Sequence, residues 1–322
     1  MERKRLLLIV NPISGTASKA ELIPKIEQKL REMGYDVDTR LTEGQGDATR
    51  MAGEAVAQGY ATVAVCGGDG TVNEAARALC GTGMPMAILP SGSGNGLARH
   101  IGLAPHELAA VDIIKDENLT DCDYGVVNGE KFFCAFGLGF DAAVAEKFAE
   151  ASTRGISTYV KKAFEEFTAY QPKSYRITID GTTTLERKAF VIACCNASQY
   201  GNNAFIAPNA SITDGLLDVI ILNDASHIQL LIMGLDMLTG MLPHNRQIEI
   251  IRARRVDIEA VETSPAHIDG EPIGENDAYH IEVVPGKLRL FTHLDHKKFT
   301  PFITPLDYMT RDITAAISKL FE

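Results

Sequence analysis

The run Val63-Ala64-Val65-Cys66 is continuously apolar, breaks at Gly67-Gly68-Asp69-Gly70, and resumes at once with helical spacing through Leu79. A plain strand-to-helix turn needs one glycine or two. Three glycines around a carboxylate imply that something approaches the backbone closely. A strand, a glycine loop and a helix in direct succession also form the repeating unit of a parallel, doubly wound sheet.

The same unit recurs through the first part of the chain. "RLLLIVNP" leads into a glycine-containing loop and then Leu22, Ile26, Leu30 and Met33 at helical spacing. Tyr35, Val37 and Leu41 alternate as in a half-buried strand, and Ala48, Met51, Ala52, Ala55 and Val56 mark an amphipathic helix. "YATVAVC" and "MPMAILP" are further buried strands. After about Cys122 the texture changes. "VVNGEKFF" carries an Asn-Gly hairpin signal, and "SYRITIDGTTTLERKAFVIACC", "IEIIRARRVDIEAVE" and "YHIEVVPGKLRLF" continue in strands. The expected fold class is α/β in two domains: a doubly wound α/β domain over 1–122 and an antiparallel β-rich domain over 123–299. Helices are expected within the second at about Ile156–Tyr170 and Ile228–Leu238. A last helix within 300–322, spanning Pro305–Glu322, is expected to return to the first domain. A length of 322 residues accommodates two domains of ordinary size.

The net charge of −11 opposes broad binding to nucleic acid, which rests on neutralising phosphates with Lys and Arg. It gives no general attraction to an anionic membrane either. Leu6–Val10 is too short for a secretory signal. The longest apolar stretch, Ile228–Leu242, is interrupted by Asp236 and falls short of the ~20 residues that span a bilayer. Cys66, Cys80, Cys122, Cys134, Cys194 and Cys195 show no metal-type spacing and read as buried thiols, which places the chain in a reducing cytoplasm.

Three loops follow strands and open helices: Asn11–Ala20, Gly67–Ala75 and Leu89–His100. In a parallel sheet the carboxyl ends of the strands lie along one edge, so the three share a crevice. Glycines and helix N-termini there suit a phosphate chain. No segment matches the P-loop pattern, and G-x-G-x-x-G is absent from the first strand–loop–helix. Asp69 would repel a bare pyrophosphate, so a divalent metal or a substrate hydroxyl belongs beside it. A plainer reading of Thr71-Val72-Asn73-Glu74 is a capping box that satisfies helix N–H groups.

"GGDGTVNEA", "LPSGSGNGLAR", "NPISG" and the late "HIDGEPIG" stand in the order of the diacylglycerol kinase catalytic family of lipid kinases, which the chain resembles from Asn11 to about Gly274. The family includes bacterial lipid kinases and the sphingosine and ceramide kinases. The resemblance implies an N-terminal nucleotide-binding domain like those of NAD kinase and phosphofructokinase, with ATP and Mg²⁺ in the interdomain cleft. Asn11, Pro12, Ile13, Ser14, Gly15 and Thr42 would line it. Gly67, Gly68, Asp69, Gly70, Thr71, Asn73 and Glu74 would cradle the phosphates, with Ser93, Gly94 and Asn95 contacting them from the third loop. "GSGNGLA" departs from the commoner GTGN form towards that of the sphingosine kinases, which leaves the lipid open.

Asp269 and Glu271 flank a glycine, and Asp-Gly alone is an ideal β-turn. By resemblance the DGE segment carries the acid that deprotonates the lipid hydroxyl, with Asp269 the first choice and Glu271 the second. Asp69 competes for this role but is expected to organise the metal. "APNASITDGLLDVIIL" resembles a structural Mg²⁺ segment, with the Asp214 side chain and the carbonyls of Ser211 and Leu216 as ligands, or else an Asp-Gly turn. Tyr159, Phe164 and Phe167 beside Lys161 and Lys162 form an aromatic stripe, either core or acyl-facing. Arg252, Arg254 and Arg255 read as a solvated strand face or a headgroup contact. The expected activity is transfer of the ATP γ-phosphate to a diacylglycerol-like alcohol, with transient contact at the inner membrane face and a homodimer left open. A sphingoid-base kinase, an NAD kinase and a catalytically silent nucleotide or lipid sensor are the alternatives.

Overall fold

A computed structural model describes residues 4–15, 19–103, 106–149, 170–245 and 247–293. Four parallel strands form the N-terminal lobe: β1 (Lys4–Val10), β2 (Tyr35–Leu41), β3 (Thr62–Gly67) and β4 (Met86–Pro90), in the order β4-β3-β1-β2. Leu6 to Val10, Val63 to Cys66 and Met86 to Leu89 are buried essentially completely, as in a parallel sheet covered on both faces. The covering helices include α1 (Lys19–Glu32), α2 (Asp47–Ala57) and α3 (Asp69–Leu79). Each faces the core with the residues its spacing predicts: Ile26 and Leu30 from α1, Ala48, Met51, Ala52 and Ala55 from α2, and Val72, Ala75, Ala76 and Leu79 from α3. The short helices α4 (Gly96–His100), α5 (Glu107–Ala110) and α6 (Asp112–Lys115) follow β4.

The C-terminal lobe is antiparallel. It comprises β5 (Leu119–Val127), β6 (Glu130–Phe132), β7 (Ala135–Gly139), β8 (Lys173–Ile179), β9 (Thr183–Cys195), β10 (Leu217–Asn223), β11 (Ile248–Ala253), β12 (Arg255–Ile268) and β13 (Glu271–Phe291). Two helices, α7 (Phe140–Ala149) and α8 (His227–Thr239), are inserted in it. The Asn128-Gly129 turn joins β5 to β6 with both residues at positive φ, 48° and 91°, as the sequence signal requires. The register of β12 against β13 shifts between Glu259 and Ser264. Its first half therefore pairs with β8 and its last residues with β7.

β13 is the seam of the molecule. It pairs antiparallel with β12 and β5, and its end meets β4 in parallel at Leu290 and Met86. One hydrogen-bonded sheet thus passes from lobe to lobe. The boundary expected at Cys122 falls inside β5, because the chain crosses between lobes along a strand and not through a linker.

The helix expected at Ile228–Leu238 is α8, opened by a capping box of Ser226 and Gln229. The helix expected at Ile156–Tyr170 lies outside the described residues apart from Tyr170. So do Tyr159, Lys161, Lys162, Phe164, Phe167 and the helix expected at Pro305–Glu322. Five of the six cysteines are buried and Cys80 is half-buried, all as free thiols. Burial pushes the Cys66 thiol up to about 11, so it is a packing residue and not a nucleophile. Among the described residues no helix is long and apolar enough to cross a membrane.

Gly125 in β5 faces the ring of Phe132 so closely that a Cβ there would lie 1.9 Å from it. Phe132 is fully buried, so its ring has no solvent to turn into. Gly125→Ala is expected to lower the unfolding free energy in urea by about 1–3 kcal/mol, the usual cost of overpacking. An unchanged midpoint would contradict this packing.

Candidate active site

The carboxyl ends of β1, β3 and β4 bring the three glycine loops together. The Asn11 N–H donates to the Cys66 carbonyl (2.9 Å), the Ser91 N–H to the Gly67 carbonyl (2.8 Å) and the Thr42 N–H to the Val10 carbonyl (2.9 Å). The Asn11 side-chain amide donates to Thr71 Oγ1 (3.0 Å), tying the first loop to α3. Asn11 also orders its own loop, accepting from the Ile13 N–H and the Ser14 hydroxyl. Pro12 and Ile13 are exposed at its tip, and Gly15 closes it. Glycine is required where backbones touch. A Cβ on Gly92 would stand 2.6 Å from the Gly68 Cα, and one on Gly15 2.7 Å from the Ser91 carbonyl oxygen.

Asp69 locks the second loop to the third. Its Oδ2 accepts from the Asn95 N–H and its Oδ1 from the Gly96 N–H, both at 2.7 Å. The carboxylate therefore caps α4 from another loop. Gly94 leaves room for it, since a Cβ there would sit 2.9 Å from Oδ2. Asn95 adopts a left-handed backbone (φ 52°) and closes its loop on both backbone groups of Gly92. Burial raises the Asp69 pKa, and the two N–H groups work against that rise. The Ser93 side is exposed. The N-terminus of α3, with Gly68 as its N-cap, carries no side-chain cap and opens into the crevice among these loops.

The capping box expected at Thr71 and Glu74 is not formed. α3 begins two residues earlier, at Asp69, which puts Thr71 inside its first turn, where Thr71 accepts from Asn11. Glu74 instead reaches across to α2, where its Oε2 accepts from the Ala48 N–H (3.2 Å).

The turn between β12 and β13 faces these loops from the other lobe. Asp269 and Gly270 are both at positive φ, 50° and 84°, so this is the tight turn that Asp-Gly favours. The Asp269 carboxylate is fully engaged. Oδ1 accepts from the N–H groups of Cys134 (2.7 Å) and Ala135 (2.9 Å), and Oδ2 from the Phe133 N–H (2.9 Å) and the amide of buried Asn73 on α3 (3.1 Å). Burial raises its pKa against the pull of those N–H groups. Four donors fill the four lone-pair directions of a carboxylate, leaving none for a substrate proton. Glu271, one residue past the turn, is exposed. Its Oε1 lies 3.2 Å from the position a Cβ on Gly70 would take, directly over the first turn of α3.

Asp69 and Asp214, the two acids given metal roles by resemblance, meet the following partners. Asp69 is committed to two backbone N–H groups. Asp214 pairs with the Arg252 guanidinium through Oδ2 and accepts from the Leu216 N–H (3.1 Å) through Oδ1. Ser211 bonds within the same turn, to Thr213. The carboxylate that holds this segment is Asp123, accepting from the N–H groups of Gly215 and Gly286, each at 2.7 Å. Among the described residues no cluster of three or more His, Cys, Asp or Glu is placed to hold a metal. Arg254 is exposed, while Arg252 and Arg255 are engaged with acids.

One part of the site has no sequence signal. Lys19, at the start of α1, is buried and donates to Ser91 Oγ and to Glu107 Oε1 (3.1 Å). Burial opposes the Glu107 charge, but hydrogen bonds from Ser91 and Lys19 outweigh it and hold the carboxyl below its usual range. These three side chains support the third loop from beneath. They come from positions 72 and 88 residues apart, beyond the reach of any local pattern.

Residues 5–127 match the family described as "Diacylglycerol kinase catalytic domain", and residues 135–292 match "YegS C-terminal NAD kinase beta sandwich-like domain". The chain is 30% identical over 262 residues to the diacylglycerol kinase of Mycobacterium tuberculosis, covering 79% of this chain and 85% of that protein. It is 31% identical over 298 residues to a Pseudomonas aeruginosa protein named "Probable lipid kinase YegS-like", covering 90% and 95%. A crystal structure of a diacylglycerol kinase from Bacillus anthracis shares the fold, with a TM-score of 0.72, 22% identity and coverage of 91% and 98%.

Replacing Asp69 by Asn puts an NH₂ group where one of two backbone N–H groups must donate. Asp69→Asn is expected to cost about 1–3 kcal/mol of stability, the penalty for one unsatisfied buried donor. Urea unfolding checks it. Wild-type stability would show that the clamp between the loops is not formed.

Proposed function

The chain belongs to the diacylglycerol kinase catalytic family and is a lipid kinase; from this premise we propose that it transfers the ATP γ-phosphate to the hydroxyl of a diacylglycerol-like lipid in the cleft between its lobes. The observation that carries this reading is the open Glu271 carboxylate above the uncapped N-terminus of α3, within a crevice formed by three glycine loops.

The N-terminal lobe is the nucleotide domain in this reading. The N–H groups at the start of α3 and the helix dipole receive the phosphates. Asn11, Thr71 and the third loop around Ser93, Gly94 and Asn95 flank them. The close backbone contacts at Gly15, Gly68 and Gly92 make a rigid cradle of the kind that phosphoryl transfer, which depends on positioning, requires. Mg²⁺ bound with the nucleotide would supply charge neutralisation at the phosphates. Asp269, with all four lone-pair directions filled, is given no ligand role, whereas Asp69, with one N–H on each oxygen, keeps a lone pair through which it could hold the metal directly or through water.

The C-terminal lobe presents the acceptor. Glu271 takes the hydroxyl proton as the oxygen attacks the γ-phosphorus. Asp269, the first choice by resemblance, instead holds the turn that carries Glu271, by binding the start of β7 and Asn73 of α3. A bilayer-borne substrate implies transient contact of a cytoplasmic protein with the inner membrane face.

Purified protein with radiolabelled ATP, Mg²⁺ and vesicles containing diacylglycerol should yield labelled lipid. Label appearing only on NAD, or only on a sphingoid base, would replace this assignment with the corresponding kinase. Nucleotide binding without labelling of any acceptor would favour a silent sensor. Glu271→Gln is expected to lower kcat by about 100-fold or more while ATP affinity holds. Wild-type turnover in that variant would remove Glu271 from the chemistry.

A further inference from the structure

We propose that Tyr200, Asp141 and His267 form a positioning relay that fixes the Asp269-Gly270-Glu271 turn to the third glycine loop. It thereby sets where the acceptor-side carboxylate stands relative to the phosphates. The proposal rests on the kinase reading above.

The relay lies behind the site. His267 and Asp141 are 2% and 7% exposed. The Gly270 N–H donates to His267 Nδ1 (3.2 Å), so Nδ1 carries a lone pair and the ring proton is on Nε2. That Nε2–H donates to Asp141 Oδ2 (3.1 Å). The Tyr200 hydroxyl donates to the same oxygen (2.7 Å), and its ring stands edge-on to the imidazole with centroids 5.8 Å apart. Asp141 Oδ1 accepts from the Ala142 N–H in the first turn of α7. Gly137 of β7 makes the space: a Cβ there would lie 2.3 Å from His267 Nε2 and 2.4 Å from Asp141 Oδ2.

From Tyr200 the path continues to the phosphate side. The Asn202 N–H donates to the Gly94 carbonyl (3.1 Å), and Gly201, at φ 119°, packs on Gly94. A Cβ on Gly96 would stand 3.2 Å from the Tyr200 carbonyl oxygen. Arg99 adds a brace, donating from Nε to the Gly94 carbonyl (3.0 Å) and from Nη1 to Asn203 Oδ1 (3.3 Å). The third loop, the segment after β9, Asp141, His267 and Gly270 are thus joined by hydrogen bonds and packed backbone in one unbroken series. In the proposed reaction the relay members act on the turn and leave contact with the lipid to Glu271. They are positioning residues. Pinning the Gly270 N–H removes backbone freedom one residue from Glu271, and transfer geometry is sensitive to such displacements.

The two ring nitrogens can be tested separately. In His267→Asn, the side-chain oxygen takes the place of Nδ1 and can accept from Gly270, while the link to Asp141 is lost. In His267→Gln, the amide nitrogen takes the place of Nε2 and can donate to Asp141, while the Gly270 N–H loses its acceptor. With ATP and diacylglycerol vesicles, the Gln variant is expected to lose about tenfold or more in kcat at little-changed KM values, and the Asn variant, which keeps the Gly270 acceptor but cuts the series at Asp141, to lose several-fold. Thermal midpoints of the two variants should fall alike. The relay is overturned if either variant turns over like wild type, or if kcat in both variants simply follows the midpoint. Should both fail to fold, Tyr200→Phe is the second probe. A several-fold lower kcat at unchanged midpoint supports the relay, and an unchanged kcat overturns it. A wild-type protein that labels no lipid overturns the functional reading and the relay together, whereas normal wild-type labelling with an unimpaired Gln variant removes the relay alone.

Discussion

Asp69 accepting two backbone N–H groups from a loop 26 and 27 residues away is the interaction on which the site depends. The same two loops also meet where Gly92 packs on Gly68 and where the Ser91 N–H donates to the Gly67 carbonyl. With the Asp69 clamp they form one surface, because each carboxylate oxygen fixes a different amide and the two amides open α4. The same device recurs. Asp269 gathers the N–H groups of Phe133, Cys134 and Ala135 where the chain enters β7, and Asp123 gathers those of Gly215 and Gly286. Asp180 gathers those of Arg254 and Arg255. A charge-assisted bond to an amide is stronger than a neutral one, so one aspartate can replace a stretch of regular pairing where loops must meet.

This division of labour explains the roles of the acids in the cleft. A carboxylate whose lone pairs are filled by amides holds backbone in place, and an open one can take a proton. Asp269, with four donors, is of the first kind and Glu271 of the second, while Asp69 holds one N–H on each oxygen. The holding acids are partly desolvated, which raises their pKa values, but their amide partners favour the charged form that the fold uses. The two lobes meet through Asn73, whose amide joins α3 to the turn that bears Glu271.

The strand–loop–helix order, the hairpin at Asn128-Gly129, the Asp-Gly turn at Asp269-Gly270, and the convergence of three glycine loops were legible in the sequence. All of them follow from local spacing and from the geometry of a parallel sheet. The family motifs marked Asp69, Asp269 and Glu271 as important, but they could not assign the tasks. Those depend on which amides each carboxylate meets, and the amides lie 26 to 196 residues away. Thr71 and Glu74 fitted a capping box because its spacing is local. The structure starts the helix earlier and uses both side chains for contacts with other elements. Lys19, Ser91 and Glu107 were invisible for a related reason: a buried lysine has no periodic signature, and its partners come from other loops.

The central claim is that the three loops act as one rigid cradle for a triphosphate. Amide hydrogen exchange with and without a non-hydrolysable ATP analogue tests it most directly. Protection gained together across residues 11–15, 67–74 and 91–96 is the predicted result. Protection confined to one of these segments, or found only in the antiparallel lobe, would contradict the account.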